Sequence, residues 1–389
     1  MWSNSSAGGA GLARVPLIQD TAWFDANSIS LSGRQVTNDM PRIGNWDSSG
    51  VTNLPTFALG TTNIYGQSPT VKFGIATFSG TLIQFFSRGV TSVYKDASAS
   101  LTVSSFTVSV VDSQFKLMTD LYYLGDGTTS NLSLDYGTLN LNGKTLSCPK
   151  FGTNFSTTRS IAWNGSTITC FGTPNVWDST TTTGLTIGAN TGTLRILGNS
   201  AGARDFYPGS LTIFNNIIVE GTGAYTLGIK SNFSCNNLTV DRSAVAKTVS
   251  GNFTITLNTS LSIPVAGATM VTMTNTDVSK TSGVVAVDYI AFSGGANTST
   301  AAGGATFFAG THSTGSPQTG WSFTDPAVPT LTNTAATDAA LTSITLNGTV
   351  DTMGSFTPLY VFWQYGLTAT YDGSWTTTRT SAFTSLRPT

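Results

Sequence analysis

Pairs of apolar residues recur between Asn131 and Pro264, and one residue lies between the two members of each pair. Side chains two residues apart lie on one face of a strand, and no 3.6-residue period runs through the segment. The pattern predicts strands of about 3–5 residues. Many short strands at close spacing are typical of a sandwich, a barrel or a solenoid. The pairs are Leu132/Leu134, Leu139/Leu141, Leu146/Cys148, Ile168/Cys170, Leu185/Ile187, Leu194/Ile196, Leu211/Ile213, Ile217/Val219, Leu227/Ile229, Leu238/Val240, Ile255/Leu257 and Leu261/Ile263.

The spacing of the three cysteines favours the solenoid. Cys148 and Cys170 are 22 residues apart, and Cys235 lies 65 residues further, close to three more steps of 22. A repeat of roughly 20–25 residues suits one coil of a stacked solenoid. We therefore expect the three sulfurs to point inward along one line, with coils between the last two. The alternative is that three buried cysteines have these spacings by chance. An odd count and a reducing cytoplasm argue against disulfides.

The composition indicates an all-β protein and excludes several kinds of partner. Charged residues make up 10% of the 389-residue chain, against an average of about 25%. The net charge is −1 and no basic run is present, so we expect no nucleic-acid binding. No apolar stretch reaches about 18 residues, so we expect no membrane insertion. No Cys/His spacing indicates a metal site, and we expect no cofactor.

Composition shifts divide the chain into five segments. Pro326 and Pro329 mark a stiff linker. The segments are a flexible arm at 1–13, an N-terminal cap or attachment region with the first β-coils at 14–125, a β-solenoid body at 126–324, the linker at 325–329, and a small, incomplete immunoglobulin-like or fibronectin III-like β-sandwich at 330–389.

The last segment resembles fibronectin type III-like modules through two motifs, Ser343–Thr349 and Val361–Gly366. Such modules have about 100 residues and seven strands, and this segment is shorter. We expect strands at Ile344–Val350 and Leu359–Tyr365 to pair with each other. We also expect the missing sheet to come from outside the segment, with Trp363 in the completed core or at a contact.

The body resembles a family of bacteriophage virion proteins found in phage tail genes. The resemblance implies a β-solenoid particle protein, made in the host cytoplasm and located in the virion, and it implies no activity. Its expected partners are other virion proteins, further copies of itself, with a trimer favoured, and a host surface glycan or protein. The motifs that carry the resemblance are Phe24–Asn27, Asp39–Arg42, Gly137–Cys148, Trp177–Thr180, Gly221–Leu227, Gly303–Ser313 and Gly320–Phe323.

Three functions fit this resemblance. The first is a non-enzymatic tail fibre or tail-associated adhesin for host attachment, and the second is a decoration (cement) protein on the capsid or tail. The third is a glycan-cleaving tail spike, which needs two carboxylates flanking a bond. Asp120 with Asp126, or Asp20 with Asp25, could be proposed as such a pair, but aspartates in Gly/Thr-rich β chains are usually turn residues. We therefore expect no enzyme activity.

The remaining candidates are single residues. Glu220, the only glutamate, is expected to end a strand, and His312, the only histidine, lies in a Gly/Thr/Ser loop with no evident partner. The aromatic residues Trp23, Phe24 and Trp46 could dock another virion subunit or could form a capping core. Phe307 and Phe308 are adjacent, so in a regular strand one faces inward and the other outward.

Overall fold

A computed structural model of the chain shows how these segments fold. The described residues are 17–38, 41–125, 130–188, 191–209, 214–242, 245–264, 269–293, 300–315, 318–337, 345–352, 354–355, 359–365 and 376–383, and for 336, 345, 346, 359–365 and 376–383 only the backbone is described.

The described residues form strands and turns, with no helix among them, and 58% of the chain is strand. The strands are β1 (Thr21–Trp23), β2 (Gln35–Asn38), β3 (Arg42–Ile43), β4 (Asn45–Asp47), β5 (Thr56–Ile64), β6 (Thr70–Phe73), β7 (Thr77–Phe85), β8 (Thr91–Lys95), β9 (Ser100–Leu117), β10 (Leu121–Tyr122), β11 (Asn131–Asn140), β12 (Thr145–Cys148), β13 (Lys150–Gly152), β14 (Arg159–Ala162), β15 (Thr167–Cys170), β16 (Asn175–Asp178), β17 (Leu185–Ile187), β18 (Thr193–Leu197), β19 (Gly202–Tyr207), β20 (Phe214–Glu220), β21 (Tyr225–Ile229), β22 (Phe233–Val240), β23 (Lys247–Ser262), β24 (Val271–Ser279), β25 (Val284–Ala286), β26 (Ile290–Ser293), β27 (Ala301–Ala302), β28 (Thr306–Phe308), β29 (Trp321–Ser322), β30 (Thr330–Thr337), β31 (Thr345–Thr352), β32 (Leu359–Tyr365) and β33 (Thr376–Phe383).

The strands from β1 to β29 stack in parallel as a β-solenoid of about 11 turns, which confirms the predicted fold class. Each turn of the chain crosses three faces, which we call A, B and C. In one turn, β12 lies on face A, β13 on face B and β14 on face C. In the next turn, β15 pairs with β12, β16 pairs with β13 and β17 pairs with β14. Long strands such as β9 bend through all three faces and pair with different strands along their length.

The core consists of inward rows in which like side chains stack from one turn to the next. On face B, the row Phe106, Leu132, Phe151, Trp177 and Phe206 is continuous in register and buried. The rings of Phe151 and Trp177 are stacked, with centroids 4.7 Å apart. Burying one such side chain contributes about 1.5–3 kcal/mol. Stacking in register therefore stabilises both the core and the alignment of the coils.

A Trp-Asp-Ser motif closes two of the corners in the same way. In Trp46-Asp47-Ser48, the indole Nε1–H donates to the Ser48 Oγ at 3.0 Å. In the second copy, Trp177 donates to the Ser179 Oγ at 2.7 Å. Each motif aspartate forms an ion pair with a lysine of a neighbouring turn, as Asp47 does with Lys72 at 2.8 Å. The motif thus satisfies a buried indole and links adjacent turns.

The cysteines lie inside the solenoid, but on two rows rather than one. Cys148 pairs in register with Cys170 on face A, and the row continues through Ile196. Cys235 belongs to face C, where it pairs with Phe214. The predicted single line is therefore wrong. The step from Cys148 to Cys170 is 22 residues, but that from Cys170 to Ile196 is 26. Because the coil length is not constant, a fixed period does not predict which residues share a row.

One further expectation about the solenoid meets a different structure. Phe307 and Phe308 are both buried, so the expectation that one faces outward is wrong: Phe308 ends β28 at a corner, where strict alternation stops. Stacking is continuous between residues 125 and 126, the predicted division between the first β-coils and the body, because β9 pairs with β11 across this point. The stacking already begins at β1, which pairs with β4.

The C-terminal strands form two separate antiparallel pairs. β30 pairs with β31, and β32 pairs with β33. The expectation that Ile344–Val350 and Leu359–Tyr365 pair with each other is therefore wrong. The chain leaving β31 stays bound to the linker, because the Ser355 N–H donates to the Ala327 carbonyl at 2.9 Å and the Ala327 N–H donates to the Ser355 Oγ. This contact extends the β30–β31 pairing to the linker.

Two glycines with similar backbones test how tightly the turns are stacked. Gly137 has φ +77°, and a Cβ there would lie 2.0 Å from the Val110 carbonyl oxygen of the preceding turn. Gly143 has φ +72°, and nothing lies within 4 Å of its Cβ position. We expect Gly143→Ala to lower the free energy of unfolding by about 1–2 kcal/mol, because alanine is strained in the left-handed backbone. We expect Gly137→Ala to lower it by clearly more, because the β9–β11 contact must also open.

The measurement is denaturant unfolding of both variants, followed by circular dichroism. Gly143→Ala is the matched control, since it carries the same conformational cost without the contact. Equal losses in the two variants would show that the stacking of turns at Gly137 is loose.

Candidate functional site on the solenoid surface

The expected aromatic docking residues divide between core and surface. Trp46 is 4% exposed, and Phe24 packs on Trp46 and on Phe57 with ring centroids 5.1 and 4.9 Å apart. Trp46 is therefore a core residue that offers no docking surface, as the capping-core alternative predicts, and Phe24 is half-buried beside it. Trp23 is 56% exposed. The side chain of Trp363 lies outside the described residues, and its backbone pairs with Thr378.

Several exposed apolar residues, Trp23 among them, belong to the first turns of the solenoid. β1, which carries Trp23, pairs only with β4 among the described residues. This leaves one hydrogen-bonding edge of β1 without a described neighbour. The exposed apolar residues of this end are Leu17, Ile18, Trp23, Leu31 and Leu54.

The three cysteines do not form a reactive or metal-binding site. All three thiols are free and buried. Burial raises the pKa of the Cys235 thiol to about 12. Burial, followed by the contact with Cys170, raises the pKa of Cys148. Because the thiolate is the reactive form, these residues act as packing residues.

The proposed carboxylates that the structure describes each accept a hydrogen bond from the protein. Asp20 accepts the Leu17 N–H at 2.6 Å, and Asp25 accepts the Ser28 hydroxyl at 2.9 Å. Asp120 accepts the Thr145 N–H at 2.8 Å. Asp126 lies outside the described residues. Asp20 and Asp25 therefore cap local turns, as the sequence indicates, whereas Asp120 links two successive coils.

Glu220 ends β20, as expected, and it forms an ion pair with Arg195 of the preceding turn. The Arg195 Nε donates to the Glu220 carboxylate at 2.6 Å. The pair lies on the outer surface of face A and neutralises both charges.

His312 has partners that the sequence does not reveal. Its Nδ1 lies 2.7 Å from the Asp288 Oδ2, and its ring stacks on Tyr289 with centroids 4.7 Å apart. The Arg242 guanidinium covers the Tyr289 ring at 3.7 Å. The expectation of a loop histidine without a partner is therefore wrong. Burial raises the pKa of Asp288, but hydrogen bonds from His312 and Tyr289 outweigh it and lower the pKa overall.

A groove of about 340 Å³ runs along the corner between faces A and B. It crosses the turns that carry Tyr122, Ser147, Thr169 and Arg195, which are partners in register on face A. The ring of Tyr122 stacks on that of Phe171, with centroids 5.6 Å apart. The groove therefore combines an aromatic surface with hydroxyl groups and a guanidinium.

Arg204 lies at the far wall of this groove and is 1% exposed. Its Nη1 donates to the Ser200 carbonyl and its Nη2 to the Ser200 hydroxyl, each at 3.2 Å. Its guanidinium lies over the Tyr225 ring at 4.6 Å. Its Nε has no hydrogen-bond partner among the described residues. Burial lowers the pKa of Arg204.

Sequence reasoning missed the buried arginines, although strand alternation contains the signal. Arg204 is two residues before the inward Phe206, and it pairs with the buried Leu227. Arg159 is likewise two residues before the buried Ile161 and is itself buried. Arg159 donates to backbone carbonyls of the turns around it, including Thr153 at 2.7 Å. The same period of two that finds strands therefore places these arginines inside.

Two rows of amide and hydroxyl side chains link successive turns on and beside the outer surface of face A. The Asn237 Nδ2 donates to the Asn216 Oδ1 at 2.8 Å, and the Ser260 hydroxyl donates to the Asn237 Oδ1 at 2.7 Å. A second amide row beside it links Asn236 to Asn215 and Asn258. These rows support the alignment of the coils from outside, as the aromatic rows do from inside.

Comparison with known proteins gives no relative: no family model matches the chain, and no curated protein or solved structure is similar to it. Within the described residues, no helix is long and apolar enough to cross a membrane. In the same part of the chain, His, Cys, Asp and Glu nowhere form a group of three or more that could hold a metal ion.

The lowered pKa of Asp288 predicts a pH-dependent contribution to stability. A carboxylate with a depressed pKa stabilises the folded chain above its ordinary pKa of 3.8, and this stabilisation is lost as the pH falls through the folded-state value. We expect Asp288→Asn to lower the thermal midpoint at neutral pH. We expect the difference from the unmodified chain to disappear in acid.

Thermal unfolding across a pH series measures this difference. Asp325→Asn, which changes an exposed carboxylate of the next segment, is the control. A difference between Asp288→Asn and the unmodified chain that stays constant down to the most acidic folded sample would contradict the assigned role of the His312–Asp288 pair.

Proposed function

We propose that this chain is a non-enzymatic structural protein of a bacteriophage particle, a tail fibre or tail-associated adhesin that contributes to host attachment. The observation that carries the proposal is the uninterrupted parallel pairing from β1 to β27, continued by β25, β28 and β29 on face A. With about 4.8 Å between turns, about 11 turns give a rod of roughly 50 Å. Such a rod holds its two ends at a fixed separation, which an attachment protein requires.

The surface chemistry supports a structural role. The chain has 10% charged residues and a net charge of −1. Hydroxyl and amide rows cover the outside of face A between turns. Such a surface has little long-range electrostatic attraction for nucleic acid, and it can pack closely against another protein without burying unpaired charge.

The N-terminal end is the proposed attachment point to the particle. Trp23 and the exposed apolar residues Leu17, Ile18 and Leu31 belong to the first turns, and one edge of β1 has no described neighbour. Exposed apolar groups next to an open strand edge are suited to burial against another virion subunit.

The C-terminal end is the proposed distal, host-facing end. Its described strands form two antiparallel pairs, β30–β31 and β32–β33. An isolated two-stranded sheet is marginally stable in water. We propose that further strands complete these pairs, from a neighbouring copy, from another virion protein or from a longer product.

Two alternatives remain in the proposal. A decoration protein would use the same rod lying along the capsid or tail, and its location in the particle separates it from a fibre. A glycan-cleaving spike would need two carboxylates on either side of a bound glycan. The described lining of the corner groove contains no carboxylate, which favours the adhesin over the spike.

The location of the chain in the particle is the direct test of this proposal. We expect peptides of the chain in purified particles by mass spectrometry, and immunogold labelling at the tail. Particles from which the gene has been deleted are the control and should lose both the label and part of their adsorption to host cells. Labelling over the capsid would favour the decoration protein, and absence from purified particles would overturn the proposal.

A homotrimer is the expected assembly, because phage appendages with uncharged, flat faces favour closed symmetric oligomers. Light scattering of the purified full chain should therefore give three times the chain mass of 40.6 kDa. A variant with Trp23→Asp tests whether the N-terminal end carries the self-contact or the contact to another subunit. A stable monomer at micromolar concentration, with no self-contact in the particle, would contradict the trimer.

A further inference from the structure

The corner groove is built by stacking, so its chemical groups have fixed positions. Tyr122, Ser147, Thr169 and Arg195 stand on successive turns in register, with neighbouring turns about 4.8 Å apart. The groove thus spans about 14 Å along the rod. A floor of this length, fixed by backbone pairing, suits an extended ligand with several repeating units.

Tyr122, one of an aromatic pair at one end of the groove, is exposed without an evident structural need. Tyr122 is 46% exposed, although it lies in the middle of the stack. Its ring stacks on Phe171 at an interplanar angle of 29°, across the intervening turn of Ser147. Two rings joined in this way form a broad apolar surface, which fits the apolar face of a sugar ring.

Arg204 at the other end carries unused hydrogen-bonding capacity. A guanidinium has five N–H donors, and the described contacts of Arg204 use two of them, both with Ser200. The side chain is buried, and its Nε has no partner among the described residues. Because the Nε is closed off by the protein, the donors that remain for a ligand at this wall of the groove are the second N–H groups of Nη1 and Nη2.

The charges around the groove favour a negatively charged ligand. Arg195 is neutralised by Glu220. Arg204 has no carboxylate within ion-pair distance among the described residues, and its nearest π system is the Tyr225 ring. One positive charge is therefore left uncompensated in the groove. A planar guanidinium binds carboxylates through two parallel hydrogen bonds.

We infer that the groove between faces A and B is a binding site for an oligosaccharide that carries carboxylate groups. One sugar ring packs on Tyr122 and Phe171, and a carboxylate of another unit binds the Arg204 guanidinium. The hydroxyl and amide groups of Ser147, Thr169 and Asn199 along the groove bind the sugar hydroxyls. This inference rests on the proposed attachment function and names the class of host molecule that it recognises.

The lining favours a sugar over an acidic peptide. A peptide added along the groove would need free backbone groups on the protein for strand pairing. The backbone groups of the groove strands are used between turns, as in the pairing of β12 with β15 and of β15 with β18. Side-chain hydroxyls and amides remain, and these match a ligand that is itself rich in hydroxyl groups.

Titration calorimetry of the full chain tests the site with tetragalacturonate and sialyllactose as carboxylated probes. Maltotetraose is the neutral probe and polyglutamate the acidic peptide. We expect at least one carboxylated sugar to bind, more weakly as salt is added, and maltotetraose not to bind. Tyr122→Ala and Phe171→Ala should each weaken binding by about tenfold or more. Arg204→Lys keeps the charge but removes the planar fork, and it should weaken binding of the carboxylated sugar.

Tyr136→Ala is the matched control, because Tyr136 is a similarly exposed tyrosine on β11 that is not part of the groove lining. It should bind the sugars like the unmodified chain. No binding of either carboxylated sugar, binding that Tyr122→Ala leaves unchanged, or equal groove-dependent binding of polyglutamate would each overturn the inference. A chain that is found in particles but binds no sugar refutes the site alone, and one that binds sugar but is absent from particles refutes the particle function alone.

Discussion

The register between successive parallel turns is the constraint on which the rest of this structure depends. Each turn contributes its backbone N–H and C=O groups to the turns above and below, so an error in one register moves a whole face between core and solvent. The rows inside and outside the solenoid stabilise the same register. Phe151 stacks on Trp177 in the core, and Asn216 binds Asn237 on the surface.

The period of two residues predicted the short strands, and the spacing of the cysteines then favoured a solenoid over a sandwich or a barrel. Pairs such as Leu132/Leu134 and Ile217/Val219 are buried on strands, as the pattern predicts. A regular coil length was a weaker assumption. It placed Cys170 correctly opposite Cys148 but failed for Cys235. Corners tolerate extra residues because they lie outside the ladders of hydrogen bonds, so the sequence distance between neighbours on one row varies from turn to turn.

Less of the candidate site than of the fold could be predicted from the sequence, because the contacts of the site join residues that are far apart along the chain. Tyr122 and Phe171 are separated by more than one turn, and the pairing of His312 with Asp288 joins residues of neighbouring turns. Such contacts exist only after the register is set. Single-residue arguments therefore gave His312 no partner and placed Trp46 among docking residues, although its indole is buried and bound to Ser48.

Polar chemistry in this solenoid concentrates at the corners because the faces leave little room for it. On a face, inward side chains must be apolar and outward ones lie in rows that bind each other. At a corner the chain leaves the ladder, so a long side chain that starts inside can bind the polar groups of the corner while it stays buried. Arg204 binds Ser200 in this way, and Arg159 binds the carbonyls of its own corner. A buried guanidinium with spare donors is unfavourable in a purely structural rod, and this cost argues that the corner at Arg204 is kept for a ligand.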